Sequence, residues 1–296
     1  CLMAWQRSMN LPRIGVFIGL YLFFSYLSIE LIHKPGQVTL FWPASGVAFA
    51  FLVRYGLAWA FPLAAVLALM HWLINPVPPL FLLFSISSNV VGAILAALYV
   101  RSYEMSSFLS LRSGFISLRA AILMALASSL IGMTGLWLSG ISSFADFWPG
   151  VAKWAMGDLL GIICTAPVLL VLTAPASLNP DSPTNEDYAP VKAKLVWSVL
   201  LALSYVLIFL GGTSHSPYAL GLTGLPIALL VWSAIQFQPN WTVVGMALTV
   251  LIITSMTGLG MAGFTQPREL LDVAFLLSFL VMIALFPMIL LASNHE

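Results

Sequence analysis

Charge is scarce in this sequence. Asp, Glu, Lys and Arg make up 7% of its 296 residues, against about a quarter in an average soluble domain. So little charge excludes a water-solvated globular domain. The net charge of +1 and the lack of a basic stripe with interleaved aromatics give no reason to expect a nucleic-acid partner. Cysteine is rarer still: Cys1 and Cys164, far apart, support neither a disulfide framework nor a metal site. The four histidines, His33, His71, His215 and His295, are scattered without ligand-like spacing. There is no His-Glu-x-x-His, Gly-x-Ser-x-Gly, Walker loop or Cys-x-x-Cys. Nothing assembles a catalytic constellation, so neither enzyme activity nor a cofactor is expected of this chain.

What the chain has in abundance is apolar sequence: 61% hydrophobic residues with a mean hydropathy of +1.03. The apolar runs recur from near residue 13 to residue 293, the pattern of an all-α, polytopic transmembrane bundle. Windows long enough to cross about 30 Å of hydrocarbon place spans at 13–32, 38–54, 57–74, 79–100, 116–138, 150–172, 194–211, 218–236, 240–257 and 270–293. The expectation is therefore about ten spans, with eight as the lower bound. With the N-terminus inside, eight basic residues (Arg7, Arg13, Arg54, Arg101, Arg112, Arg119, Lys192, Lys194) fall on cytoplasmic segments. Three (Lys34, Lys153, Arg268) fall outside, the bias of the positive-inside rule. Ten spans return the C-terminus to the cytoplasm.

A polar stretch carrying Asn179-Pro180-Asp181-Ser182-Pro183 and Glu186-Asp187 reads as a cytoplasmic loop over 174–193. It divides one integral-membrane domain, 1–296, into helices 1–6 (1–173) and helices 7–10 (194–296). Leu225-Pro226 echoes Trp42-Pro43 about 183 residues earlier, which suggests a weak parallel repeat of about four helices. The chain begins on Cys1 and ends directly after an apolar helix. It reads as a piece of a longer protein, with an output domain expected after 296.

Asp158, deep in the apolar run 151–172, is the leading functional candidate. An intramembrane charge costs about 2.5–3.5 kcal/mol on insertion scales, so it is normally paired, protonated or turned to a watery cavity. Trp154, Asp158, Gly161 and Thr165 share one helix face, and Gly157 with Gly161 permits close helix approach. Glu30, Trp42, His71, Asn75, Asn89 and Trp154 fall at a similar depth in the outer half of the membrane, as the lining of an outward-open cavity would. Pro43 and Pro226 break helices beside it. Asn89 lies on a small and polar stripe, Ser85, Ser88, Asn89, Gly92 and Ala96, from which its amide could reach Asp158. The candidate sensing set is Asp158, Trp154, Trp42, Pro43, Asn89, Glu30 and His71. Each also has a structural reading: an Asp locking two helices, tryptophans of an interfacial belt, an interfacial histidine, a Glu reaching to water.

Three segments resemble a known family: Phe41-Trp42-Pro43-Ala44-Ser45-Gly46-Val47-Ala48 with Arg54-Tyr55-Gly56, Trp154-Ala155-Met156-Gly157-Asp158-Leu159-Leu160-Gly161 with Thr165-Ala166-Pro167, and Leu225-Pro226-Ile227-Ala228-Leu229-Leu230-Val231-Trp232. In this order and spacing they are similar to the first class of membrane-associated sensor (MASE) domains of bacterial signalling proteins, over roughly 13–293. The resemblance implies an inner-membrane input module ahead of cyclic-di-GMP turnover domains (GGDEF or EAL), PAS domains or a histidine kinase. Similarity to the membrane part of the hexose-phosphate sensor kinase adds a transporter-like membrane partner. A homodimer is expected, since such outputs work in pairs. Gln236-Phe237-Gln238 departs from the Arg-aromatic-Gly step common in members. The stimulus is expected to be an external or intramembrane small ligand or a proton. The competing reading is a solute transporter or channel, for which proline-broken helices and a midplane acid are equally apt.

Overall fold

The computed structural model describes residues 9–32, 41–103, 110–173, 189–213, 219–265 and 270–294, and among these every regular element is a helix. In chain order they are α1 (Leu11–Ile32), α2 (Pro43–Tyr55), α3 (Ala60–Leu73), α4 (Pro79–Arg101), α5 (Leu111–Leu138), α6 (Phe147–Leu172), α7 (Val191–Thr213), α8 (Gly224–Gln236), α9 (Pro239–Leu259) and α10 (Leu270–Ser293). Single 3-10 turns precede α3, α6 and α8. Most of the loop expected at 174–193, and the start of the second expected span, lie outside the described residues.

Seven helices, α1, α4, α5, α6, α7, α9 and α10, are long and apolar enough to cross a membrane. The other three are not, although a full crossing is expected of each from the sequence. With 13 residues, α2 and α8 reach only about 20 Å at 1.5 Å per residue, short of the roughly 30 Å of hydrocarbon. The apolar residues ahead of Pro43 disguise this boundary. Proline has no N–H and a fixed φ, which suits a first helical position and no interior one. Large apolar side chains point outward along the helices: Phe61 is 78% exposed, Met282 69% and Phe275 67%. With no water to shield them, these are the lipid-facing surface.

The chain forms two compact units, one from residues 1–104 and 115–169, the other from 105–114 and 170–296. Within the first, α1 packs on α2 and α3, and α4 packs on α2 and α3. An aromatic corner ties the ends of α1, α2 and α3, with Phe17 4.9 Å from Phe51 and 5.4 Å from Trp59 between ring centres. The Arg13 guanidinium sits 5.2 Å over Tyr55.

Within the second unit, α8 packs on α7, α9 and α10, and α9 on α10. A second aromatic corner recurs there: Trp197 of α7 lies 5.6 Å from Phe237 and 6.0 Å from Trp241. The Lys194 ammonium sits 5.9 Å over Trp241. Trp197, Trp241 and Lys194 follow Phe17, Trp59 and Arg13 by 180, 182 and 181 residues. The pairings α1 on α2, α2 on α4 and α3 on α4 thus recur as α7 on α8, α8 on α10 and α9 on α10, whereas α1 on α3 and α8 on α9 have no counterpart among the packed pairs of described residues.

Candidate functional site

The site is built where the start of α2 meets the middle of α6. Pro43 opens α2, and no side chain caps the helix. The chain just before it is held from outside instead: the Trp42 backbone N–H donates to the Gly157 carbonyl of α6 at 3.2 Å. So close an approach requires glycine. A side-chain carbon on Gly161 would run into the Trp42 carbonyl group, and one on Gly46 would come within 2.6 Å of the Gly161 oxygen. The small pair anticipated in α6 therefore receives the backbone of α2.

This crossing delivers Ser45 to Asp158. The Ser45 hydroxyl donates to Asp158 Oδ1 at 2.7 Å, and the carboxylate is 2% exposed. Its other oxygen, Oδ2, is buried without a hydrogen-bond partner. Ser128 of α5 and Trp154 stand beside the carboxyl group, and the Tyr21 hydroxyl of α1 lies near both it and Trp42. The Ser128 and Tyr21 oxygens are likewise buried and unpartnered. Buried polar atoms are nearly always satisfied by protein, water or ligand. Three such oxygens, from α1, α5 and α6, gather around this one carboxyl group.

A cavity of about 540 Å³ opens against this group, within the usual range for small-molecule sites. Trp42, Trp154 and Asp158 form one wall, and His71, Ser85 and Asn89 of α3 and α4 another. Leu67, Met70, Phe81 and Met133 give it an apolar side. Toward the α5–α6 connection it carries Asp146 and Lys153. Trp154 reaches its place because residue 132 is glycine: any side chain there would overlap the indole ring.

Five of the seven candidate residues, Trp42, His71, Asn89, Trp154 and Asp158, line this one cavity. Pro43 is buried behind it at the head of α2. Glu30 lies outside: it is exposed on α1 while its neighbour Ile29 lines the cavity, because one residue turns about 100° round a helix. The bond that Asn89 could have made to Asp158 is not the one it makes. Asn89 donates its amide to the Ser85 carbonyl at 2.9 Å and the Ser88 hydroxyl at 3.3 Å, both on its own helix. His71 is buried. Its Nδ1 meets the Asn75 carbonyl at 3.0 Å and its Nε2 the Ser85 hydroxyl at 2.8 Å. Since a carbonyl only accepts, Nδ1 carries a proton.

Sequence reasoning missed Ser45, Ser128 and Tyr21. A serine or tyrosine in an apolar run is too common to single out alone. The available signal was periodicity: Tyr21, Ser25 and Ser28 recur at i, i+4 and i+7, and all three are buried. Chemically, the arrangement sets a buried carboxyl group among hydroxyl and indole donors at the lining of the cavity. No group of three or more His, Cys, Asp or Glu that could hold a metal ion occurs among the described residues.

No curated protein and no solved structure matches the chain. A family model does: MASE1, over residues 12–294. A polytopic helical chain matched over nearly its whole length in this way belongs to the MASE1 family, the membrane-associated sensory domains of signalling proteins.

Proposed function

We propose that the chain is the input module of a bacterial inner-membrane receptor in which Asp158 couples a stimulus in the cavity to the position of α2. The observation that carries this reading is the divided carboxyl group. One oxygen binds Ser45 at the head of α2, the other has no hydrogen-bond partner, and the residue lines the cavity. An occupant that engages Asp158 competes with, or reinforces, the bond that fixes α2. A ligand shifts a two-state equilibrium only through its preference for one state, and a tenfold shift needs about 1.4 kcal/mol. One charge-assisted hydrogen bond is of that size. The stimulus is a small ligand or proton reaching the cavity from outside the cell, with both chain ends in the cytoplasm. The signal passes to an output domain beyond residue 296, a cyclic-di-GMP turnover enzyme or a histidine kinase. The receptor works as a homodimer, beside a membrane-protein partner in some systems.

A second reading rests on the short helices. Helices α2 and α8 stop short of a full crossing, as half-helices do in many transporters, so a solute-transport role remains the alternative. The test is an output reporter in cells expressing the intact gene product. Asp158→Asn keeps size and most hydrogen bonding but removes the charge, and should insert normally while abolishing stimulus-dependent output. Leu159→Ala, on another face of α6, should leave the response intact. Full responsiveness with Asp158→Asn, accompanied only by lower stability, would make Asp158 a helix lock and sink the reading.

A further inference from the structure

We infer that the cavity takes a small primary ammonium ion, its charged end on Asp158 and its carbon skeleton between the two indoles and the apolar wall. The inference rests on the sensory reading of this cavity and names its ligand class. Three features of the cavity define what fits.

The first is the charge. Asp158 is buried, and its Oδ2 has no partner from the protein. An uncompensated carboxylate in this setting is costly, and a cationic occupant removes the cost. Elsewhere the cavity carries Asp146 and Lys153, so its charged lining is two acids against one base. An anion meets that balance unfavourably. A neutral molecule leaves the carboxylate unpaired.

The second is the hydrogen-bonding sense. Asp158, Ser85 and Asn89 bring side-chain oxygens with lone pairs to the lining of the cavity. A primary ammonium presents three N–H donors on one atom, as a lysine does. A quaternary ammonium has the charge without the donors. A carboxylate or phosphate brings only acceptors.

The third is the aromatic and apolar lining. Trp42 and Trp154 both line the cavity alongside Asp158. The faces of indole rings attract cations, most strongly when water is excluded. Phe81, Met70 and Leu67 provide an apolar surface for a short carbon chain, and about 540 Å³ leaves room for a molecule of that kind.

The test uses the 296-residue chain in lipid nanodiscs and three probes of one shape. Isopentylamine is the cation, isopentanol the neutral isostere and 4-methylpentanoate the anion, each titrated by calorimetry and tryptophan fluorescence, with empty nanodiscs to subtract lipid uptake. Saturable binding of the amine is expected, at least about thirtyfold tighter than the alcohol. Asp158→Asn should erase that preference and leave the alcohol's affinity unchanged. Should Asp158→Asn fail to fold, as judged by its thermal unfolding, Trp154→Leu carries the test and should lower amine affinity by about tenfold. An alcohol that binds as tightly as the amine, an anion that binds tighter, or an amine preference that survives these substitutions overturns the inference. The sensory reading fails on a different result. Output that depends on Asp158 without any amine preference refutes the ligand class alone, whereas amine binding by a receptor whose output ignores Asp158 refutes the sensory role.

Discussion

Gly161→Ala adds a single methyl group at the tightest point of the α2–α6 crossing, and its cost can be worked from the contacts it meets. The new carbon would overlap the Trp42 carbonyl and lie 2.9 Å from the Pro43 nitrogen. These are backbone atoms, so no side chain can rotate away. Carbon contacts are comfortable only near 3.5 Å, so the head of α2 must retreat by about 1 Å or more. The Trp42 bond to Gly157, already 3.2 Å, is then lost, and the 2.7 Å Ser45–Asp158 bond stretches beyond useful length. Overpacking costs about 1–3 kcal/mol, and loss of a hydrogen bond to a charged group about 1.5–3 kcal/mol. Alanine returns at most about 1 kcal/mol through helix propensity. The expected result is a destabilisation of about 2–5 kcal/mol, measured by reversible unfolding in mixed micelles. Gly19→Ala in α1 is the matched control, because nothing lies within 4 Å of its added carbon. It should be neutral or slightly stabilising. Equal stability of the two variants would refute the close crossing on which the geometry of Asp158 depends.

Reporter fusions after Arg112 and after Asp187 should be cytoplasmic, and those near Asn75 and Asp146 external; an inverted pattern would move the mouth of the cavity to the inner face. Cys164, 1% exposed, should resist maleimide in a Cys1→Ser background until SDS unfolds the protein, and rapid labelling of the native form would contradict its burial. In the second unit, the Tyr205 hydroxyl and Thr249 Oγ1 lie 2.7 Å apart, while Thr249 also donates to the Gly245 carbonyl. Tyr205→Phe should therefore cost only about 0.6–1.7 kcal/mol, the range for hydrogen bonds between membrane helices. A loss of several times that would mean the pair does more than join α7 to α9.

The long helices were legible because a membrane imposes a coarse rule. The expected spans 79–100 and 270–293 fall within one residue of α4 and α10, since twenty or more apolar residues leave little choice. The rule fails where a helix ends inside apolar sequence. Residues 38–42 are as apolar as those that follow, and only Pro43 shows where α2 starts. Asp158 was legible for the same reason: a charge in such a run stands out. Its partners were not. Asn89 has the richer hydrogen-bonding chemistry, yet its own helix absorbs it, and the bond to Asp158 goes to Ser45, which nothing in the composition distinguishes. Which helices cross, and at what height, depends on the glycine contacts between them. Periodicity along one helix says which face is small, but not what lies against it.

The aromatic corner of the first unit has no member among the residues that line the cavity. Phe17, Phe51 and Trp59 hold α1, α2 and α3 together from a separate place. The parts that make the scaffold cohere and the parts that meet an occupant are thus different sets of side chains. Trp42, Asn89 and Trp154 can be exchanged, and the lining of the cavity with them, without touching this corner. The second copy of the corner points the same way. Around Trp197 and Trp241 a similar corner stands, but Ala228, not a serine, lies 183 residues after Ser45.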